Sequence, residues 1–172
     1  MLPEIRFITG MERSAQMEMV IEDTLAEDVD PLSAMATVAA YIFSFMERVN
    51  WAGFYVARGD TLVVGPYQGQ PACMRIPFGK GVCGTVAEER RALRVDEVAS
   101  FPGYIACDSA TRSELVAPII INGKLYGVLD IDSPEPARFN DDDLRLIQRV
   151  ANLVAKAVEK SDAQTYALAR SV

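Results

Sequence analysis

The 172-residue chain contains no histidine. That absence removes Ser-His and Cys-His catalysis and imidazole metal sites together. Acid–base work falls to carboxylates, cysteine, tyrosine, lysine or water. Cysteine is scarce as well, with three residues at 73, 83 and 107 and no Cys-x-x-Cys pair, so no metal site is expected. Basic residues are outnumbered 17 to 24 by acidic ones, for a net charge of −7. Neither nucleic acid nor an anionic membrane surface suits such a balance, because both need clustered Lys and Arg. No apolar run reaches membrane-spanning length. The opening Met1-Leu-Pro-Glu-Ile-Arg-Phe7 lacks the basic stretch and apolar core of a secretory signal. A reducing cytoplasm is the expected compartment, and its cysteines should be free thiols, ligands or redox groups.

What the chain does contain reads as one domain over residues 1–172, with residues 1–10 a loose leader carrying no pattern. Apolar residues recur at helical spacing over residues 12–28 and again, more densely, over 32–49. Asp30-Pro31 separates the two helices, and the proline suits the first turn of the second. Residues 50–57 and 61–65 read as a hairpin around Arg58-Gly-Asp60, and a loop follows from Gly65 to Pro71. A short extended piece over 74–76, a short helix over 85–91 and a strand over 92–95 come next. The clearest strands are 113–121 and 124–132, joined by Asn122-Gly123, a strong type I′ signal. Asn140 caps a last helix whose first turn is Asp141-Asp-Asp143 and which runs past Glu159. Directly joined hairpins between terminal helices predict an α+β fold. A central antiparallel sheet should carry the N- and C-terminal helices on one face and the site-forming loops and short helix on the other.

Gly79-Lys-Gly-Val-Cys-Gly84 matches the dinucleotide spacing G-x-G-x-x-G. Its context is wrong: Pro77 interrupts the strand before it, the helix after it is short, and no parallel βαβ unit surrounds it. A small anion cradle or a plain turn fits better. Cys83 precedes the predicted helix, where free N–H groups would lower a thiol pKa. Cys107 lies in the loop Pro102-Gly-Tyr-Ile-Ala-Cys-Asp108. Buried cysteines are usually small hydrophobes, but two thiols in glycine-containing loops suit reversible redox chemistry. Asp130 and Asp132 alternate along one strand and so share a face. Counted out from the Asn122-Gly123 turn, Glu114 opposes a residue near 131, within a register error of both acids. Such clustered carboxylates repel, which raises a pKa and suits a ligand ammonium group plus a residual proton donor. Trp51 and Tyr55, also on one face, are either core or the wall of a small pocket.

Taken together, Asn50-Trp-Ala-Gly-Phe-Tyr55, Gly65-Pro-Tyr-Gln-Gly69, Pro71-Ala-Cys73, Phe78-Gly-Lys-Gly-Val-Cys-Gly-Thr85, Pro102-Gly-Tyr-Ile-Ala-Cys-Asp108, Ser113-Glu-Leu-Val116 and Gly127-Val-Leu-Asp-Ile-Asp-Ser133 resemble the free methionine-(R)-sulfoxide reductases, enzymes of GAF fold. The resemblance implies that Cys107 is the nucleophile and becomes a sulfenic acid. Cys83 or Cys73 would then close a disulfide, which thioredoxin or another external dithiol reopens without a bound cofactor. It places Glu114, Asp130 and Asp132 around the substrate, free methionine sulfoxide, and Trp51 and Tyr55 at its methyl end. A homodimer through the terminal helices is compatible with it. The alternative is a GAF module without catalysis, sensing a small ligand or thiol redox state.

Overall fold

A computed structural model describes the backbone of residues 11–26 and 29–169, and side chains as far as Ser161. The leader proposed for residues 1–10 lies outside the described residues. Helix α1 spans Arg13–Ala26 and α2 Pro31–Phe45. Asp30 caps α2 by accepting the Ser33 N–H at 3.0 Å, and Pro31 occupies the first turn, where a missing donor costs nothing. Strands β1 (Trp51–Arg58) and β2 (Thr61–Gly69) form the first hairpin. Then follow β3 (Arg75–Pro77), α3 (Gly81–Glu89), β4 (Leu93–Val95), a 3-10 turn at Val98–Ser100, β5 (Ser113–Ile121), β6 (Lys124–Ser133) and α4 (Asp141–Ala169). Asn140 Oδ1 accepts the N–H groups of Asp142 and Asp143 at 2.8 and 3.0 Å, and Asp143 Oδ2 accepts the Asn140 N–H at 3.0 Å. This reciprocal cap fixes where α4 starts.

The six strands make one antiparallel sheet in the order β3-β2-β1-β6-β5-β4. Both edges are strands of three residues, too short to recruit another chain's strand. One face packs against α1, α2 and α4. Ala52 and Phe54 of β1, Leu115, Ala117 and Ile119 of β5, and Leu129 and Ile131 of β6 interleave there with Ile21, Val38, Ile42, Ile147, Val150 and Val154. The other face carries Trp51, Tyr55, Val116 and Val128 and is covered by α3 and the loops around Cys73 and Cys107.

Helix α2 ends at Phe45, short of the expected 49, and two further boundaries differ from the sequence expectation for local reasons that bear on the site. Strand β2 continues through Pro66 to Gly69 instead of ending at Gly65. The pairing with β1 steps from Tyr55↔Val64 to Gly53↔Tyr67, so Pro66 sits in the irregularity where no ladder donor is needed. Helix α3 starts at Gly81, four residues before the expected position, so the glycine loop forms its first turn. The Asn122-Gly123 turn behaves as expected, with both residues at positive φ (50° and 74°).

Gly127 sits where β6 crosses close to β1. A Cβ there would lie 2.2 Å from the Tyr55 carbonyl oxygen, which is backbone and cannot swing away. Gly127→Ala should therefore destabilise the protein by about 3 kcal/mol, read as a lowered urea midpoint at unchanged slope. An unaltered midpoint would contradict this packing.

Candidate active site

The site grows out of strand register. Glu114 pairs with Asp132, Val116 with Asp130, and Trp51 of β1 with Asp132 from the other side. Plain counting from the turn would have set Glu114 opposite Ile131, on the helix-covered face. The pairing instead steps from Ile120↔Leu125 to Ile119↔Gly127. That one extra residue in β6 returns Glu114 to the face of Asp130 and Asp132.

Gly53 pairs with Asp130 and has no side chain, which leaves room for aromatic rings. A Cβ at Gly53 would meet the Tyr67 Cβ at 2.3 Å and the Trp51 ring at 2.7 Å. Trp51 stacks on Tyr55 with centroids 5.8 Å apart and on Tyr67 at 5.2 Å. The two aromatic residues singled out from sequence are thus both core and wall.

Glu114, Asp130 and Asp132 share one cavity with Trp51, Tyr55, Tyr104, Cys107 and Thr111. Cys73 and Cys107 close its rim through a disulfide, with Cα atoms 5.2 Å apart. Both are half-buried. Cys83 is the one free cysteine and is buried in α3. Its thiol donates to Glu114 Oε1 at 3.6 Å.

This corrects the expectation for Cys83. It does not lie in an exposed loop ahead of a helix, and its thiol is not acidified. Burial, then the charges of Asp130 and Glu114, push its pKa well up. A protonated, enclosed thiol is a poor nucleophile. Of the two partners considered for Cys107, the structure joins it to Cys73.

The acids hold protons for related reasons. Burial first, then the neighbouring charges of Asp130 and Asp132, raises Glu114. Burial, then Asp130 and Asp108, raises Asp132. Burial lifts Asp130 to about 7, against a hydrogen bond from Cys83 that favours the ionised form. Among the described residues, no Lys or Arg lines this cavity. Asp130 Oδ1, Trp51 Nε1 and Asn50 Oδ1 are buried polar atoms without a hydrogen-bond partner.

Several residues here were not singled out as site residues from sequence. Asn50 precedes Trp51 in the first motif. Its N–H donates to the Asp132 carbonyl at 3.0 Å, and its side-chain amide donates to Asp108 Oδ2 at 3.0 Å and Thr111 Oγ1 at 3.5 Å. Asn50 thus ties the Cys107 loop to the start of β1. The same loop is held from the other side by the Gly81 N–H, which donates to the Gly103 carbonyl at 3.1 Å. Tyr104 lines the cavity beside Cys107, its phenol kept protonated by burial and by the carboxylates. The signal for both was their place inside the quoted motifs.

A GAF domain family model matches residues 20–158, and the chain belongs to that family. Within it the chain groups with the free methionine-R-sulfoxide reductases. The protein of that name from Escherichia coli is 40% identical over 138 residues, covering 80% of this chain and 84% of its own. The one from Saccharomyces cerevisiae is 47% identical over 113 residues, 63% of each chain. A solved structure described as the free methionine-R-sulfoxide reductase of Neisseria meningitidis in complex with its substrate is 33% identical. It aligns with a TM-score of 0.88 over 94% of this chain and 98% of its own.

Two outcomes follow from this geometry. Between the ordinary aspartate value of 3.8 and about 7, the native state keeps a proton on Asp130 that the unfolded chain has released. Stability should therefore fall as pH rises through that window. Glu18 and Glu97, lowered mainly by hydrogen bonds from Arg149 and Arg112, act with the opposite sign and only below the ordinary carboxylate range. Thermal melts from pH 4 to 8 should show the decline, and Asp130→Asn should flatten it by ~1 kcal/mol or more. Separately, Asn50→Asp sets a carboxylate against Asp108 and should slow re-formation of the Cys73–Cys107 bond about tenfold. Adding Asp108→Asn should restore the rate, measured as thiol loss after reduction.

Proposed function

We propose that the protein reduces free L-methionine (R)-sulfoxide to methionine, using Cys107 as nucleophile and Cys73 as resolving thiol. The observation that carries the reading is the Cys73–Cys107 bond standing over a cavity lined by three acids, Glu114 and Asp130 buried and Asp132 half-buried. The substrate's ammonium group suits the carboxylates, and its methyl end suits the Trp51–Tyr55 wall. The Cys107 thiolate attacks the sulfoxide sulfur while a cavity carboxylic acid supplies a proton to the oxygen. Sulfur is reduced to the thioether, oxygen passes to Cys107 as a sulfenic acid, and methionine leaves. Cys73 then attacks that sulfur, water is lost, and the disulfide forms. An external dithiol such as thioredoxin reopens it by thiol exchange. Electrons come only from thiols, so the reading requires no prosthetic group.

Recognition of the free ammonium group by the carboxylates is the reason for choosing a free amino acid over a protein residue. The reading treats residues 1–172 as one GAF unit acting in the cytoplasm. Among the described residues, no helix is long and apolar enough to cross a membrane.

The cavity beneath the bond is about 30 Å³, the room of roughly one water. We therefore take the bonded form as the state after turnover. Reduction frees the Cys107 loop and admits the amino acid.

Turnover separates this reading from a sensor. Protein, dithiothreitol and each epimer of free methionine sulfoxide should yield methionine from the R epimer alone. Cys107→Ser should lower the rate by at least about 10³-fold. Cys73→Ser should release on the order of one methionine per chain with thioredoxin and then stop. Cys83→Ser should still exceed one turnover per chain. Consumption of neither epimer by folded wild-type protein would leave the sensor reading in place.

A further inference from the structure

Cys83 takes no part in the disulfide, yet it is enclosed with two acids. Its Sγ, one oxygen of Glu114 and one of Asp130 all lie within 4.8 Å of one another, and all three residues are buried. The Sγ to Glu114 Oε1 separation is 3.6 Å. The S-to-O edge of a zinc tetrahedron with ordinary bond lengths is about 3.5 Å. A second observation is independent of the clustering. Asp130 is only 5% exposed, and its Oδ1 has no hydrogen-bond partner. A buried carboxylate oxygen left that way is costly unless a cation or donor meets it. No lysine or arginine among the described residues lines this cavity, and histidine is absent from the chain.

We propose that Cys83, Glu114 and Asp130 form a binding site for one thiophilic divalent cation of the zinc type. One thiolate and two carboxylates make three protein ligands, and the fourth position would open toward the cavity. Hard cations are disfavoured, because calcium and magnesium take six or more oxygens and avoid sulfur. Binding displaces the thiol proton to solvent as the metal–sulfur bond forms. Resting on the reductase reading, one consequence follows: the ion occupies two of the carboxylates that the substrate ammonium needs, so it blocks turnover.

Cobalt(II) serves as the probe, on protein with the Cys73–Cys107 bond intact and verified by mass. Any sulfur-to-cobalt charge-transfer band then reports Cys83 alone. The band should saturate at one ion per chain and be erased by an equivalent of zinc. Cys83→Ser should lose the band, and both Cys83→Ser and Glu114→Gln should weaken zinc binding at least about tenfold. Glu114→Gln covers the case in which Cys83→Ser fails to fold, as judged by circular dichroism. Absence of the band at millimolar cobalt, its survival in Cys83→Ser, or unchanged zinc affinity in a folded variant overturns the site. The cobalt result does not depend on catalysis. Inactivity of metal-free reduced protein would count against the reductase reading alone, whereas full activity in saturating zinc would count against the blocking consequence.

Discussion

The extra residue in β6 between the Leu125 and Gly127 pairings decides which face each acid occupies. Side chains on a strand alternate with a period of two, so a shift of one residue exchanges the faces. Without the step, Glu114 would sit among Leu129 and Ile131 beneath the terminal helices, where a carboxylate has no partner. With it, Leu115, Ala117 and Ile119 fill the helix-covered core while Glu114 and Val116 face the cavity. Fold stability and site assembly therefore depend on the same irregularity. Gly127 follows directly, because the bulged strand passes within contact of the Tyr55 carbonyl.

Three carboxylates on one sheet face are electrostatically uncomfortable, and burial shifts each of them toward the protonated form. Glu114, Asp130 and Asp132 are all raised, and the Cys83 thiol stays protonated against Glu114. The same desolvation that disfavours their charge makes them useful. A neutral carboxylic acid donates a hydrogen bond to an oxygen acceptor, and its ionised neighbour accepts from an ammonium. Asn50 links this group to the redox loop, since it touches the Asp132 backbone and the Asp108 carboxylate together.

Much of this was legible in the sequence because local rules carry it. Helical spacing, the Asp30-Pro31 and Asn140 caps and the Asn122-Gly123 turn each act over a few residues, and their elements appear where expected. The alternation of Asp130 and Asp132 and the shared face of Trp51 and Tyr55 are equally local. What could not be read depends on distant contacts. The register step that places Glu114 follows from how β6 packs on β1. Cys73 and Cys107 are 34 residues apart and meet only because the β2–β3 loop and the β4–β5 loop converge over one sheet face. The early start of α3 buries Cys83, which a count of glycines cannot show.

One residue type thus serves two settings on the same face of the sheet. Cys73 and Cys107 sit half-buried on loops at the rim, where sulfur can be attacked and can move. Cys83 lies in α3, 3% exposed, held against the Glu114 carboxylate. Thiol chemistry needs a thiolate and an approach path, and only the rim offers the path. On the proposed function, position alone then separates the roles, because the rim bond closes the cavity to about the volume of one water. Bond and amino acid cannot occupy it together. Disulfide formation would thus follow departure of the methionine, and each reduction would reopen the cavity for the next substrate.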